Sequence, residues 1–352
     1  MKKFLGNEKM MKQWLKKAAA GLLCGAMVMG LAACGNGEAP ASSTAESAPP
    51  QQTEEKTDVV RVGVLSIADS LPVFAAEQEN MFADAGLNVE VYPFASSSDQ
   101  SKAVEAGELD VVMNDMIVQS LMKKADTDTK VVSLAFGATP QEGRFVVVAA
   151  PDSGITTPEA LEGKRVAIST NTMMEYLMDQ YENYYHLDSE RIELVNMPDL
   201  MLRVETLLQG KDIDAAILPD PLASFAISQG GISVIDDTTL DENFSQSVFL
   251  ATDDFIAEHK GTLDSFMNVL FQAMTDINEN PDKYRDLLME KANVPEALQD
   301  SYPMPTFTPA AVPSEQEVAR LESWMVENQL LDKVYSYQDL VDTSYAKEAA
   351  EE

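Results

Sequence analysis

From residue 59 onward, short β-branched runs alternate with stretches whose apolar positions recur at helical spacing. Residues 59–65 read as a strand, 71–84 as a helix, and 87–94 as an alternating strand. A helix over 98–106, a short extended run over 110–114, a helix over 116–124 and a strand over 131–136 follow. A second copy of this rhythm begins after Pro151, where Thr157-Pro158-Glu159 has a capping residue followed by proline at the first helical position. Its strands fall at 165–169, 192–195, 215–218 and 232–235, and its helices at 173–185, 200–209 and 222–228. Strands separated by helices predict parallel α/β sheets with right-handed crossovers, here in two lobes. Beyond Val248 the pattern turns mainly helical, over 263–278, 281–291, 314–327 and 337–345.

The first 58 residues follow different rules. Six lysines precede an apolar run over 18–33, which is short for a spanning helix of roughly 20 residues and has the order of a signal peptide. Leu31-Ala32-Ala33-Cys34 resembles the lipobox of bacterial lipoproteins, which implies diacylation of Cys34, cleavage before it, and an extracytoplasmic protein anchored to the membrane by lipid. The alternative is an ordinary signal peptide followed by a chance cysteine. Residues 35–57 hold no large apolar side chain, so they are expected to form a disordered leash between the anchor and the body.

Charge and composition exclude several functions. The chain carries −33, and because its first 33 residues contribute +5 the remainder carries −38. Such a field repels nucleic acid and anionic headgroups, so no nucleic-acid partner is expected. With Cys24 in the removed segment and Cys34 acylated, no cysteine is left for a disulfide, a metal cage or a thiol nucleophile. His186 and His259 stand far apart in sequence and offer no local ligand motif or catalytic pairing. Neither an enzyme nor a cofactor is expected.

Several stretches carry a family resemblance. Leu71-Pro72-Val73-Phe74-Ala75-Ala76-Glu77, followed by Met81-Phe82-Ala83-Asp84-Ala85-Gly86-Leu87, resembles the opening of the binding proteins of sulfonate, nitrate and thiamine-precursor importers, with Asn80 where those have a glycine. Ala106-Gly107-Glu108-Leu109-Asp110, Leu161-Glu162-Gly163-Lys164-Arg165, and Gly210-Lys211-Asp212-Ile213-Asp214 leading to Pro219-Asp220-Pro221 extend the likeness across residues 60–236. The resemblance implies a two-lobed periplasmic-binding-protein fold of type II with the ligand cleft between the lobes. On that basis residues 58–146 and 246–352 form lobe 1 and 147–245 lobe 2, after a signal peptide at 1–33 and a lipidated linker at 34–57. Crossings are expected near 145–150 and 244–250. The implied partners are a small-molecule ligand and an ABC permease with its ATPase, and the implied state is a monomer.

Ligands of open α/β sheets sit beyond the carboxyl ends of the strands. The candidates there are Ser66, Asp69, Ser70, Phe94, Ser96, Asn114, Asp115 and Thr139 in the first lobe. In the second they are Thr170, Asn171, Thr172, Glu175, Tyr176, Asn196 and Asp220. Plain alternatives stand beside these: Asp115, Asp220 and the Thr172/Glu175 pair have helix-capping positions, Tyr176, Phe94 and Met113 could be core, and Arg144 and Arg203 could be ion-paired or solvated. Carboxylates at helix N-termini favour a neutral or cationic nitrogen heterocycle, such as a thiamine-precursor pyrimidine, over an oxyanion. A sulfonate- or nitrate-type anion binder, or a lipoprotein that senses ligand without transport, are the alternatives.

Overall fold

The computed structural model describes residues 59–94 and 96–346. The signal peptide, Cys34 and the linker lie outside the described residues. Two five-stranded sheets form the frame, in the orders β2-β1-β3-β10-β4 and β7-β6-β8-β5-β9. The first comprises β1 (Val59–Leu65), β2 (Asn88–Phe94), β3 (Val111–Asn114), β4 (Thr129–Phe136) and β10 (Ser247–Thr252). The second comprises β5 (Phe145–Ala149), β6 (Arg165–Ile168), β7 (Glu193–Asn196), β8 (Ala215–Pro219) and β9 (Ile232–Asp236). In each, one strand runs against the others: β10 is antiparallel to β3 and β4, and β5 to β8 and β9.

Helices α1 (Leu71–Gln78), α2 (Met81–Asp84), α3 (Ser97–Glu105) and α4 (Met116–Lys124) belong to the first lobe. The second has α5 (Met173–Tyr185), α6 (Leu200–Gln209) and α7 (Leu222–Ser228). The chain then returns through β10 to α8 (Asp253–Glu279), α9 (Arg285–Lys291), α10 (Glu315–Glu327) and α11 (Tyr337–Leu340), which pack around the first sheet. The helix expected over 71–84 breaks at Asn80, whose φ of 58° is left-handed, a conformation asparagine tolerates where glycine is the usual choice. No helix among the described residues is long and apolar enough to cross a membrane.

The two lobes repeat one local device. Arg61 at the start of β1 and Asp110 before β3 exchange backbone and side-chain bonds: Asp110 Oδ2 accepts from the Arg61 backbone N at 2.8 Å and from Nε at 2.9 Å, while Asp110 N donates to Arg61 O at 2.9 Å. Arg165 and Asp214 do the same at the start of β6 and before β8, with backbone N to Oδ2 at 2.9 Å and the return bond at 2.9 Å. Both pairs are 49 residues apart. The Gly-to-Asp turns singled out in the sequence therefore end in an aspartate that pins two parallel strands through a forked guanidinium.

Both crossings differ from expectation. Residues 145–149 form β5 rather than a crossing, and residues 247–252 form β10 rather than the start of a helical region. Each is an apolar run buried on both faces, and such a run lacks the alternation that marks a half-exposed strand. The chain instead passes between sheets over 137–144 and 240–246. These segments run side by side: Asn243 Nδ2 donates to the carbonyls of Thr139 at 3.0 Å and Glu142 at 2.8 Å. Gly137, with φ of 92°, lets the backbones approach, because a Cβ there would stand 3.0 Å from Gln246 Cα.

Candidate functional site

The candidates expected at the carboxyl ends of the strands divide into three groups in the structure. Some serve local structure. Ser96 caps α3 by accepting from Asp99 N at 3.2 Å. Thr172 caps α5 by accepting from Met174 N at 3.2 Å. Glu175 accepts from Asn171 N rather than from Thr172 N, which displaces the expected capping box by one residue and holds Asn171 at a φ of 57°. Asn196 is exposed and its Oδ1 accepts from Thr170 N at 3.2 Å. Thr139 is exposed and contributes a carbonyl to the crossing. Asn114 is buried, donating to Gln100 Oε1 at 2.6 Å and accepting from Asp115 N at 2.9 Å.

A second group joins the lobes. Tyr176 is buried, packs edge-on against Trp324 at 5.2 Å between ring centroids, and receives Arg320 Nε at 3.2 Å. Trp324 Nε1 donates to Asp179 across the lobe boundary at 2.6 Å. Arg320 also pairs with Glu242 at 2.5 Å and lies 4.8 Å over the Phe244 ring. These contacts come from α10, and the sequence offered no local sign of them. Phe94 is half-buried against the same apolar cluster, which runs from Ile117 and Met116 in the first lobe to Met173 and Tyr176 in the second, whereas Met113 is first-lobe core. The cavity left between Met116, Met173, Tyr176, Phe244 and Arg320 is about 10 Å³, room for roughly one water. A small-molecule site needs roughly 300 Å³ or more, so the lobes must part along this face to admit a ligand there.

The third group is polar. Asp69 is half-buried in the turn after β1, and one of its oxygens accepts from Ser247 Oγ at 2.6 Å. Desolvation raises its pKa, with the Ser247 bond opposing. Ser66 is half-buried in the same loop, while Ser70 is fully buried with a hydroxyl that has no partner. Asp115 caps α4 by accepting from Val118 N at 2.9 Å, and desolvation pushes it up to about 6 despite its backbone donors. Among the described residues no Lys or Arg lies within ion-pair distance of Asp69 or Asp115.

In the second lobe, Arg144 binds Asp236 at 2.5 Å and Asp220 at 3.3 Å, and Asp220 also accepts from Ser224 N at 3.0 Å. Burial works against the Arg144 charge, but Asp236 and Asp220 outweigh it and hold the guanidinium above its usual range. Arg144 therefore pairs within the second lobe. Tyr302, from the segment after α9, comes into the same neighbourhood: burial and the fields of Asp220 and Asp69 raise its hydroxyl, with Arg144 opposing. The sequence showed Tyr302 only as an aromatic in a proline-rich loop.

Arg203 is neither surface nor ion-paired. It is fully buried behind the β6–α5 loop, with its guanidinium bonded to Met197 O, Ile217 O, Ser169 Oγ and Met174 Sδ. Burial lowers it to about 10. Among the described residues, no group of three or more His, Cys, Asp or Glu could hold a metal ion.

A model of the family described as NMT1/THI5 like matches residues 67–284, more than half of the chain. Among solved structures, the periplasmic aliphatic sulphonate binding protein SsuA of Escherichia coli is 18% identical with a TM-score of 0.68, over 81% of this chain and 97% of that one. The ligand binding component of an ABC-type import system from Staphylococcus aureus, solved with zinc bound, is 14% identical with a TM-score of 0.68, over 84% and 99%. The alkanesulfonate-binding protein SsuA of Xanthomonas axonopodis pv. citri, bound to MOPS, is 17% identical with a TM-score of 0.64, over 80% and 97%. No curated protein sequence matches the chain. The architecture is thus that of the type II periplasmic binding proteins.

Proposed function

Because the chain belongs to the NMT1/THI5-like family and has the two-lobed fold of periplasmic binding proteins, we propose that it is an extracytoplasmic solute-binding lipoprotein that delivers a small molecule to an ABC permease and its ATPase. The ligand is a neutral or cationic nitrogen heterocycle, of which a thiamine-precursor aminopyrimidine is the model, and the protein performs no catalysis on it. Capture takes place between the lobes, with the paired crossings 137–144 and 240–246 as the hinge.

One observation carries the ligand class. Asp69 and Asp115 stand at the ends of adjacent strands, partly desolvated, with only a serine hydroxyl and backbone amides as partners. A ligand N–H or ammonium group supplies the donor they lack, whereas an oxyanion meets like charge there. Arg144, in the second lobe, is already answered by Asp220 and Asp236. Titration of the chain with an aminopyrimidine tests this. Asp69→Asn and Asp115→Ala are each expected to weaken binding roughly tenfold to a hundredfold, since hydrogen bonds to charged groups contribute about 1.5–3 kcal/mol. Affinity indifferent to both changes, or preference for sulfonate or nitrate, rejects the heterocycle and leaves solute binding standing.

Arg203 favours the second reading, an anion binder. Its buried charge has only neutral acceptors, and it lies behind the β6–α5 loop where an oxyanion could meet the N-terminus of α5. The lipoprotein assignment rests on the order of residues before Cys34 and is checked separately. Cys34→Ala is expected to abolish labelling by a fatty-acid probe, and unchanged labelling rejects the anchor.

A further inference from the structure

Helix α10 ties the first lobe to the second along one stripe of its surface. Glu317, Arg320 and Trp324 stand three and four residues apart and so share a face. That face meets the second crossing and α5. Gln246 Nε2 donates to Glu317 Oε1 at 2.8 Å, Arg320 Nε to the Tyr176 hydroxyl oxygen at 3.2 Å, and Trp324 Nε1 to Asp179 Oδ2 at 2.6 Å. On its other side α10 is held to the first lobe, because the buried Glu322 accepts from the Ser120 hydroxyl of α4. The bonds to α5 are therefore contacts between lobes.

The centre of the stripe has the make-up of a binding site. Phe244 and Tyr176 are buried, and the Arg320 guanidinium lies over the Phe244 ring with Cζ 4.8 Å from its centroid. Nη1 pairs with Glu242 while Nε meets the Tyr176 oxygen. Glu242 is exposed, so its ion pair alone contributes little, and the shielded ring face and phenol provide the hold. A ring face, a carboxylate and a hydroxyl oxygen around one point complement a flat cation with N–H groups at its edge. The space left over is about 10 Å³, so the guanidinium fills the site. We propose that Tyr176, Glu242 and Phe244 form a planar-cation site, that Arg320 is its built-in occupant, and that this occupancy latches the two lobes together. Opening the cleft then requires Arg320 to leave, and a small molecule bearing a guanidinium or amidinium group is the chemical class that takes its place. The latch goes beyond the solute-binding reading and uses nothing of its ligand class.

Trp324 reports the latch. It is 6% exposed at the lobe boundary, and with Trp14 it makes up the chain's two tryptophans. In the full-length chain carrying Trp14→Phe, Arg320→Ala is expected to shift the lobes toward the open form about tenfold, through loss of a cation–ring contact and a hydrogen bond. The readouts are a red shift of Trp324 emission and easier quenching by acrylamide, with unchanged circular dichroism to separate opening from unfolding. Ethylguanidinium, the fragment that alanine lacks, should reverse both at millimolar concentration, and ethylammonium should not. Tyr176→Phe keeps the ring against Trp324 and loses only the hydroxyl, so it should give a smaller change of the same sign, and it serves should Arg320→Ala not fold. If Trp324 stays shielded in these variants, α10 and α5 form a fixed seam and the latch is overturned. If Arg320→Ala exposes Trp324 and ethylguanidinium does not restore it, the site does not take a planar cation and the proposal falls.

Discussion

Replacing Arg203 with Met is expected to lower the melting temperature by roughly 5–10 °C, which corresponds to about 3–5 kcal/mol in a chain of this size. The side chain rises from α6, whose N-terminus is capped by Asp199 accepting from Leu202 N at 2.9 Å, and it passes under the strand ends of the second sheet. There Nε bonds Met197 O at 2.8 Å, Nη1 bonds Ile217 O at 2.9 Å and Met174 Sδ at 2.7 Å, and Nη2 bonds Ser169 Oγ at 2.6 Å and Met197 O. Methionine fills much of the volume but removes the donors that Arg203 supplies to the Met197 and Ile217 carbonyls and the Ser169 hydroxyl. Arg203→Lys separates charge from geometry. One ammonium cannot reach Met197, Ile217 and Ser169 together, so lysine is expected to recover less than half of the loss. Full recovery with lysine, measured by thermal and urea unfolding, would show that charge rather than the forked geometry holds this loop.

Much of the frame was legible because the strands and helices that build it carry local signals. The alternation of strands and helices and the two Gly-to-Asp turns that end at Asp110 and Asp214 sit in short stretches of chain, whereas the break at Asn80 inside the helix expected over 71–84 was not read. Residues 145–149 and 247–252 were misread for a physical reason: interior strands covered on both faces look like any apolar run, and their partners, β8 with β9 and β3 with β4, are remote in sequence. The same limit applies to the cleft. Caps at Asp115 and Thr172 follow from position alone. The pairing of Trp324 with Asp179, 145 residues apart, depends on how the C-terminal helices fold back over the lobes. No stretch of sequence encodes that by itself.

The Asp237→Asn variant is expected to be more stable than the parent at pH 8 and nearly equal to it at pH 5. Asp237 lies 3% exposed in the turn between β9 and the second crossing, where Oδ1 accepts from Phe145 N at 2.9 Å and Oδ2 from the Tyr181 hydroxyl at 3.4 Å. Desolvation, reinforced by the neighbouring Asp236, raises it to about 7 against those donors. A carboxyl whose folded pKa lies above its unfolded value binds its proton more tightly in the folded state. Its contribution to stability is therefore complete below about pH 4 and is lost as pH rises through 7. A shift of about three units corresponds to about 4 kcal/mol at most across that window. Asparagine keeps an acceptor for Phe145 N, offers N–H groups where the proton would have been, and carries no charge to desolvate. Glu182, on α5, is raised to about 7 by burial and by Asp179, and Asp115 to about 6, so some slope remains in the variant. Asp214, Asp236 and Asp264 are held low by Arg165, Arg144 and Lys260 and act only at more acidic pH. Urea unfolding at pH 5 and pH 8 should give a gain of roughly 2–3 kcal/mol at the higher pH alone. Parallel profiles for parent and variant would mean that Asp237 is ionised at both pH values in the folded chain, and that the hinge tolerates a buried charge.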